Sequence, residues 1–238
     1  MKYMEYNDHD MDLAPFHTAL ATYHASLNRR NLDTRKVLLD PSAHIVRISP
    51  NQRSHMLGLL RTIEKLIKRY PLLARPSWKV LFFHERFEIE NNYPHTISDV
   101  ILLPYPTFFN SYNLAKQLNV LLHERIHVIQ RRHPNVMRLV STQHYGLRRL
   151  GTRAQYPDPD ELQNPDTDEY VYADQDGRLP TQSLIAPSAP RHPMDHTYVP
   201  VHKMHPYERM AYELANQLLY SRTDAPNPFE PYLMKDPR

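Results

Sequence analysis

His123-Glu124-Arg125-Ile126-His127 sets two imidazoles four positions apart with a carboxylate between them. In a helix, residues four apart share a face, so both rings can reach one metal ion. Glu124 stands about 100° around the axis from His123, beside the ligands rather than among them. A carboxylate there can take a proton from water that the metal acidifies toward a pKa of roughly 7, and pass it to a leaving amine. The spacing therefore points to metal-assisted amide hydrolysis, with zinc the expected ion. With 15 His in 238 residues, shuffling would yield one such motif about 4% of the time, so its surroundings must carry part of the inference.

Those surroundings are consistent with it. Leu114, Leu118, Leu121, Leu122, Ile126 and Ile129 recur at helical spacing, from a cap at Asn110 or Ser111 to Arg132. His133-Pro134 ends that helix, because the residue before proline is pushed out of the α region. Thr96–Leu103 reads as a strand just before it, closed by Pro104 and Pro106. Trp78–Phe83, β-branched and aromatic, reads as another, extending toward Ile89. Ser54–Tyr70 is an amphipathic helix capped by Ser54 and stopped by Pro71. Upstream lie a helix over Leu13–Asn28 and an apolar stretch, Val37–Ile48, broken by Pro41. Val136–Leu150 reads as a further helix. From Gly151 to His205 prolines crowd among Asp, Asn, Thr and Ser, and periodicity fades; so long an excursion is expected to be a lid or coil. Pro206 suits the first turn of a helix reaching Tyr220, followed by an extended tail over Asp224–Arg238. The expected class is α+β in a single domain, 1–238. It comprises an N-terminal extension (1–52), a sheet and active-site helix (53–150), the Pro-rich excursion (151–205), and a ligand helix with tail (206–238).

A third ligand is needed. His133 has the spacing of a metzincin ligand, but Gln130 stands where that pattern has Gly, and Gln130-Arg131-Arg132 favours an uninterrupted helix. On such a helix His133 points about 240° away from His127. Its ordinary role would be to meet the last helical carbonyls. Glu208, in His205-Pro206-Tyr207-Glu208, is the favoured candidate: Ala211 and Ala215 follow on the same side and permit close helix approach. A first-turn Glu also complements a helix dipole without any metal. Glu213 is an alternative, but it lies about 500° on from Glu208, so the two cannot share one ion.

Leu121-Leu122-His123-Glu124-Arg125-Ile126-His127, Gln130-Arg131, Pro134, Asn164-Pro165-Asp166 and His205-Pro206-x-Glu208-x-x-Ala211-Tyr212 together resemble zinc metallopeptidases of the gluzincin type found in large DNA viruses. The resemblance spans roughly Thr96 to Tyr220. It implies a zincin-like fold, in which a small twisted sheet packs on the helix carrying HExxH and a second helix supplies the third ligand. It implies His123, His127 and Glu208 as zinc ligands and Glu124 as general base. Thermolysin-like gluzincins carry an Asp four residues beyond the ligand Glu; here that place is Tyr212, so the groups supporting the His ligands are not implied. An oxyanion donor is also needed, and Tyr170 and Tyr212 are the candidates. Strand Thr96–Leu103 could pair with an extended peptide substrate.

Composition narrows the classes. Without Cys there is no thiolate metal site, cysteine nucleophile or disulfide scaffold. A net charge of +3, with Arg pairs dispersed along the chain, and no recognised motif argue against nucleic acid as the partner. No apolar run approaches the roughly 20 residues that span a bilayer. The polar, acidic start, Met1–Asp12, does not resemble a secretory signal, so an intracellular setting is expected, host cytoplasm or virion if viral. The competing expectation is a zincin-like domain that binds without catalysing.

Overall fold

The computed structural model describes residues 3–4, 45–84, 94–152, 155, 170–177, 205–220 and 226–234. A four-stranded mixed sheet has the order β1-β2-β4-β3: β1 (Tyr3–Met4), β2 (Trp78–Phe83), β3 (His95–Ile97) and β4 (Val100–Pro104). β1 and β4 flank β2 in parallel, and β3 pairs antiparallel to β4 at the edge. Trp78, Val80, Phe82, Ile101 and Leu103 join the main core with helices α1 (Pro50–Ile67) and α3 (Leu114–Arg132). The alternate residues Leu81, Phe83, Val100 and Leu102 are buried as well. Burial on both faces explains the unbroken apolar run in β4. The architecture is thus α+β with a small mixed sheet and helices.

Several boundaries differ from the sequence expectation, each for a local reason. α1 starts earlier than Ser54: Ser49 forms a capping box with Gln52, its hydroxyl accepting from Gln52 N at 3.3 Å, with Pro50 in the first turn. Pro71 opens a short helix, α2 (Pro71–Ala74), as well as ending the previous one. The single strand expected over Thr96–Leu103 is two strands of a tight hairpin. Ile97 pairs with Val100, so Ser98 and Asp99 form the turn, and Ser98 takes φ 57°. That conformation is unfavourable for a residue with a Cβ. Asp99 anchors the turn through Lys79 at 3.0 Å and Arg132 at 2.6 Å. Burial raises the Asp99 carboxyl's pKa, but these two cations outweigh it and hold it below the usual 3.8.

The cap of α3 is Asn113, whose side chain accepts from Lys116 N at 2.9 Å, because Thr107–Ser111 closes a wide π-type turn of its own. The helix expected over Val136–Leu150 stops early. α4 (Pro134–Leu139) passes into a second π-type turn (Val140–His144), and Gly146 at φ 64° turns the chain into β5 (Arg148–Thr152). The Pro-rich excursion contributes a strand, β6 (Tyr170–Ala173), antiparallel to β5. α5 (Pro206–Tyr220) matches expectation, and the tail forms a short helix, α6 (Glu230–Leu233), rather than running extended throughout. The expected helix over Leu13–Asn28, most of Val37–Ile48, the extension toward Ile89 and Asn164-Pro165-Asp166 lie outside the described residues. Among the described residues, no helix is long and apolar enough to cross a membrane.

Candidate metal centre

α3 is buried almost all round from Asn119 to Gln130. Each direction around its axis therefore meets a different partner, and HExxH distributes its side chains accordingly. Arg125, 1 % exposed, points to the α2–β2 connection. Its guanidinium donates to the Leu73 carbonyl at 3.0 Å, the Ser77 carbonyl at 3.1 Å and the Pro76 carbonyl, and stacks on Trp78. Burial lowers its pKa to about 10, with Glu64 opposing. Three fixed carbonyls satisfy the planar donor fork, so this residue sets the rotation of the helix about its axis.

Glu124 points to the edge strand. Thr96 Oγ1 on β3 donates to Glu124 Oε2 at 2.8 Å, and lies 3.2 Å from the Glu124 carbonyl. Both residues are buried.

His123 and His127 point to α5. Three pairs define that interface: Asn119 with Asn216 at 3.0 Å, the His123 and Tyr212 rings with centroids 4.5 Å apart, and His127 with Glu208 at 3.5 Å. Each step forward by four on α3 is a step back by four on α5, which defines antiparallel helices in register. Buried Ala211 and Ala215 line α5 near this contact. The register delivers Glu208 to the imidazoles. Glu213 faces elsewhere, accepting from the Tyr145 hydroxyl at 2.8 Å and from Arg209 Nε at 2.9 Å. His133 caps the end of α3, outside the cluster.

His123 Nε2 lies 3.0 Å from His127 Nε2 and 3.3 Å from Glu208 Oε2, and His127 Nε2 lies 3.5 Å from Glu208 Oε1. Donors of a tetrahedral zinc, at bonds of about 2.0–2.1 Å, stand about 3.3–3.4 Å apart. The spacing thus suits three corners of such a site. Their exposures are 6 %, 0 % and 4 % for His123, His127 and Glu208. This buried His-His-Glu group could hold a metal ion.

The tautomer of His127 follows from its neighbour. Gln130 Nε2 donates to the Tyr207 carbonyl at 2.8 Å, which turns Gln130 Oε1 toward His127 Nδ1 at 2.7 Å. An oxygen can only accept, so the proton resides on Nδ1 and Nε2 presents its lone pair to the site. Gln130 thus orients a ligand and ties α3 to the residue before Glu208. Along the sequence Gln130 marks a departure from the metzincin glycine and part of the gluzincin resemblance, with no sign of this orienting role; Thr96 and Arg125 likewise carry no local signal of theirs.

The two tyrosine candidates are placed differently. Tyr212 packs its ring against His123. Tyr170 opens β6, its ring under the Arg149 guanidinium, and its carbonyl faces His205 Nε2 at 3.4 Å, just before the ligand helix.

Compared with protein-family models, curated proteins and solved structures, the chain matches none.

Proposed function

We propose that this chain is a zinc-dependent peptidase of the gluzincin type, with a zincin-like fold and a peptide or protein substrate. The observation that carries the reading is the convergence of Glu208 on His123 and His127, on a helix whose Glu124 carboxylate Thr96 holds. A site that only stored a metal would have no use for that carboxylate. A bound zinc would polarise a carbonyl and acidify water.

The chain's own residues supply the rest. Thr96 holds Oε2 of Glu124 and fixes the carboxylate's orientation. Glu124 takes the proton of the attacking water and returns it to the departing amine nitrogen. Gln130 keeps His127 in the ligating tautomer. Tyr212, whose ring packs against a ligand ring, is the tyrosine we assign to donate to the developing oxyanion. β3 is the edge strand on which an extended peptide would add its backbone.

Elemental analysis of purified protein, then cleavage of a peptide library by wild type and Glu124→Gln, tests this. The reading expects one zinc per chain and cleavage that Glu124→Gln abolishes. Iron in place of zinc would favour oxygen chemistry, which two His and one carboxylate also serve. Zinc bound equally by two inert proteins would leave a binding module.

A further inference from the structure

Two buried atoms around the metal centre lack partners. His123 Nδ1 makes no hydrogen bond, and neither does Asn119 Oδ1, one turn nearer the start of α3. His123 Nε2 faces His127 and Glu208, and once Nε2 ligates an ion the ring's proton must sit on Nδ1. A buried N–H without an acceptor is costly. Helical side chains lean toward the N-terminus, which carries the His123 ring over the turn that holds Asn119. The Asn119 amide is already committed at one end: its Nδ2 donates to Asn216 Oδ1 at 3.0 Å. Its other end is an acceptor in need of a donor.

We propose that Asn119 is the positioning residue of His123, its Oδ1 taking the Nδ1–H of the ligating tautomer across a gap that a small side-chain rotation or one water closes. The inference rests on the metal-site reading above. It makes the two ligand supports alike. Each imidazole is backed by a neutral amide that also grips α5, Gln130 through the Tyr207 carbonyl and Asn119 through Asn216. Neither amide adds charge, so Glu208 would be the one charged ligand of a bound dication.

The test uses the full chain, stripped of metal and titrated with zinc against a chromogenic chelator. Asn119→Leu removes the acceptor. Asn119→Asp keeps it and gives up the donor to Asn216. Asn216→Ala removes only the bond between helices. Asn119→Leu is expected to weaken zinc binding about 10–100-fold, the usual effect of losing such a support, with Asn119→Asp and Asn216→Ala within about threefold of wild type. A purely structural role for Asn119 would instead make Asn216→Ala as damaging as Asn119→Leu, and would overturn the proposal. If Asn119→Leu does not fold, nitrogen-15 spectra of zinc-loaded wild type decide. A slowly exchanging proton on His123 Nδ1 supports the inference, and a rapidly exchanging one refutes it. Wild type that takes up no zinc removes the metal site itself; wild type that binds zinc while Asn119→Leu binds it equally removes this proposal alone.

Discussion

Replacing Gln130 with Met keeps side-chain length and removes both polar ends. The Nδ1–H of His127, now held at 2.7 Å, then loses this acceptor, and the carbonyl of Tyr207, within helix α5, loses the side-chain donor that reaches it at 2.8 Å. Leaving the buried His127 N–H without this acceptor costs about 1–3 kcal/mol, and the thioether recovers part of the packing, so the fold should lose about 1–3 kcal/mol. For a chain of this size that corresponds to a fall of about 2–12 °C in Tm. Metal binding should suffer separately, because a ring free to swap tautomer no longer presents Nε2. A 10–100-fold loss of affinity is expected, or about 1.4–2.7 kcal/mol off the stabilisation that a fixed zinc excess confers. The assay is a pair of melting curves, with and without zinc, beside a chelator competition. Gln130→Glu restores the acceptor for His127 but sets a buried carboxylate against the Tyr207 carbonyl, so it should recover zinc affinity better than stability. Gln130→Met with unchanged zinc affinity would refute the reasoning, whatever its Tm.

The antiparallel register separates two glutamates five residues apart: Glu208→Gln should lose zinc binding at least about 100-fold, while Glu213→Gln should change it by less than about threefold, measured by the same competition. Arg125→Lys keeps the charge but cannot reach three carbonyls with a planar fork, so it should destabilise the fold by about 2–4 kcal/mol in urea melts; a loss under about 0.5 kcal/mol would contradict the anchoring role. Burial, then the neighbouring Glu213 carboxylate, push the Tyr145 phenol above its usual 10. A group whose folded pKa is raised stabilises fully below the unfolded value, so wild type should lose stability against Tyr145→Phe above about pH 10, by up to about 1.4 kcal/mol per pH unit. Asp99 has the opposite sign: its carboxyl is held low, so its contribution is present above about pH 4 and fades in acid, and Asn at this position should flatten the acid limb of the wild-type stability curve.

Features set within one element are legible along the chain. Two imidazoles four residues apart share a helix face whatever the rest of the chain does, and Pro206 opens the second helix where it was expected. Boundaries went astray where side-chain capping or backbone turns compete with apolar periodicity. Ser49 with Gln52 outcompeted Ser54, and Ser98 at φ 57° divided one apolar run into a hairpin. What the helix faces depends on packing between elements distant in the chain. Glu208 reaches the imidazoles because α3 and α5 run antiparallel with matched four-residue steps, and a shift of one residue would rotate the carboxylate away by about 100°. Thr96 meets Glu124 from 28 residues away, and Gln130 and Asn119, though one turn from the imidazoles on the same helix, have their amides turned by the Tyr207 carbonyl and by Asn216 on α5, which no local spacing predicts. Helical periodicity is a property of neighbouring residues, whereas the partners of a buried polar atom are fixed by which elements pack against it, and that is settled only when the core forms.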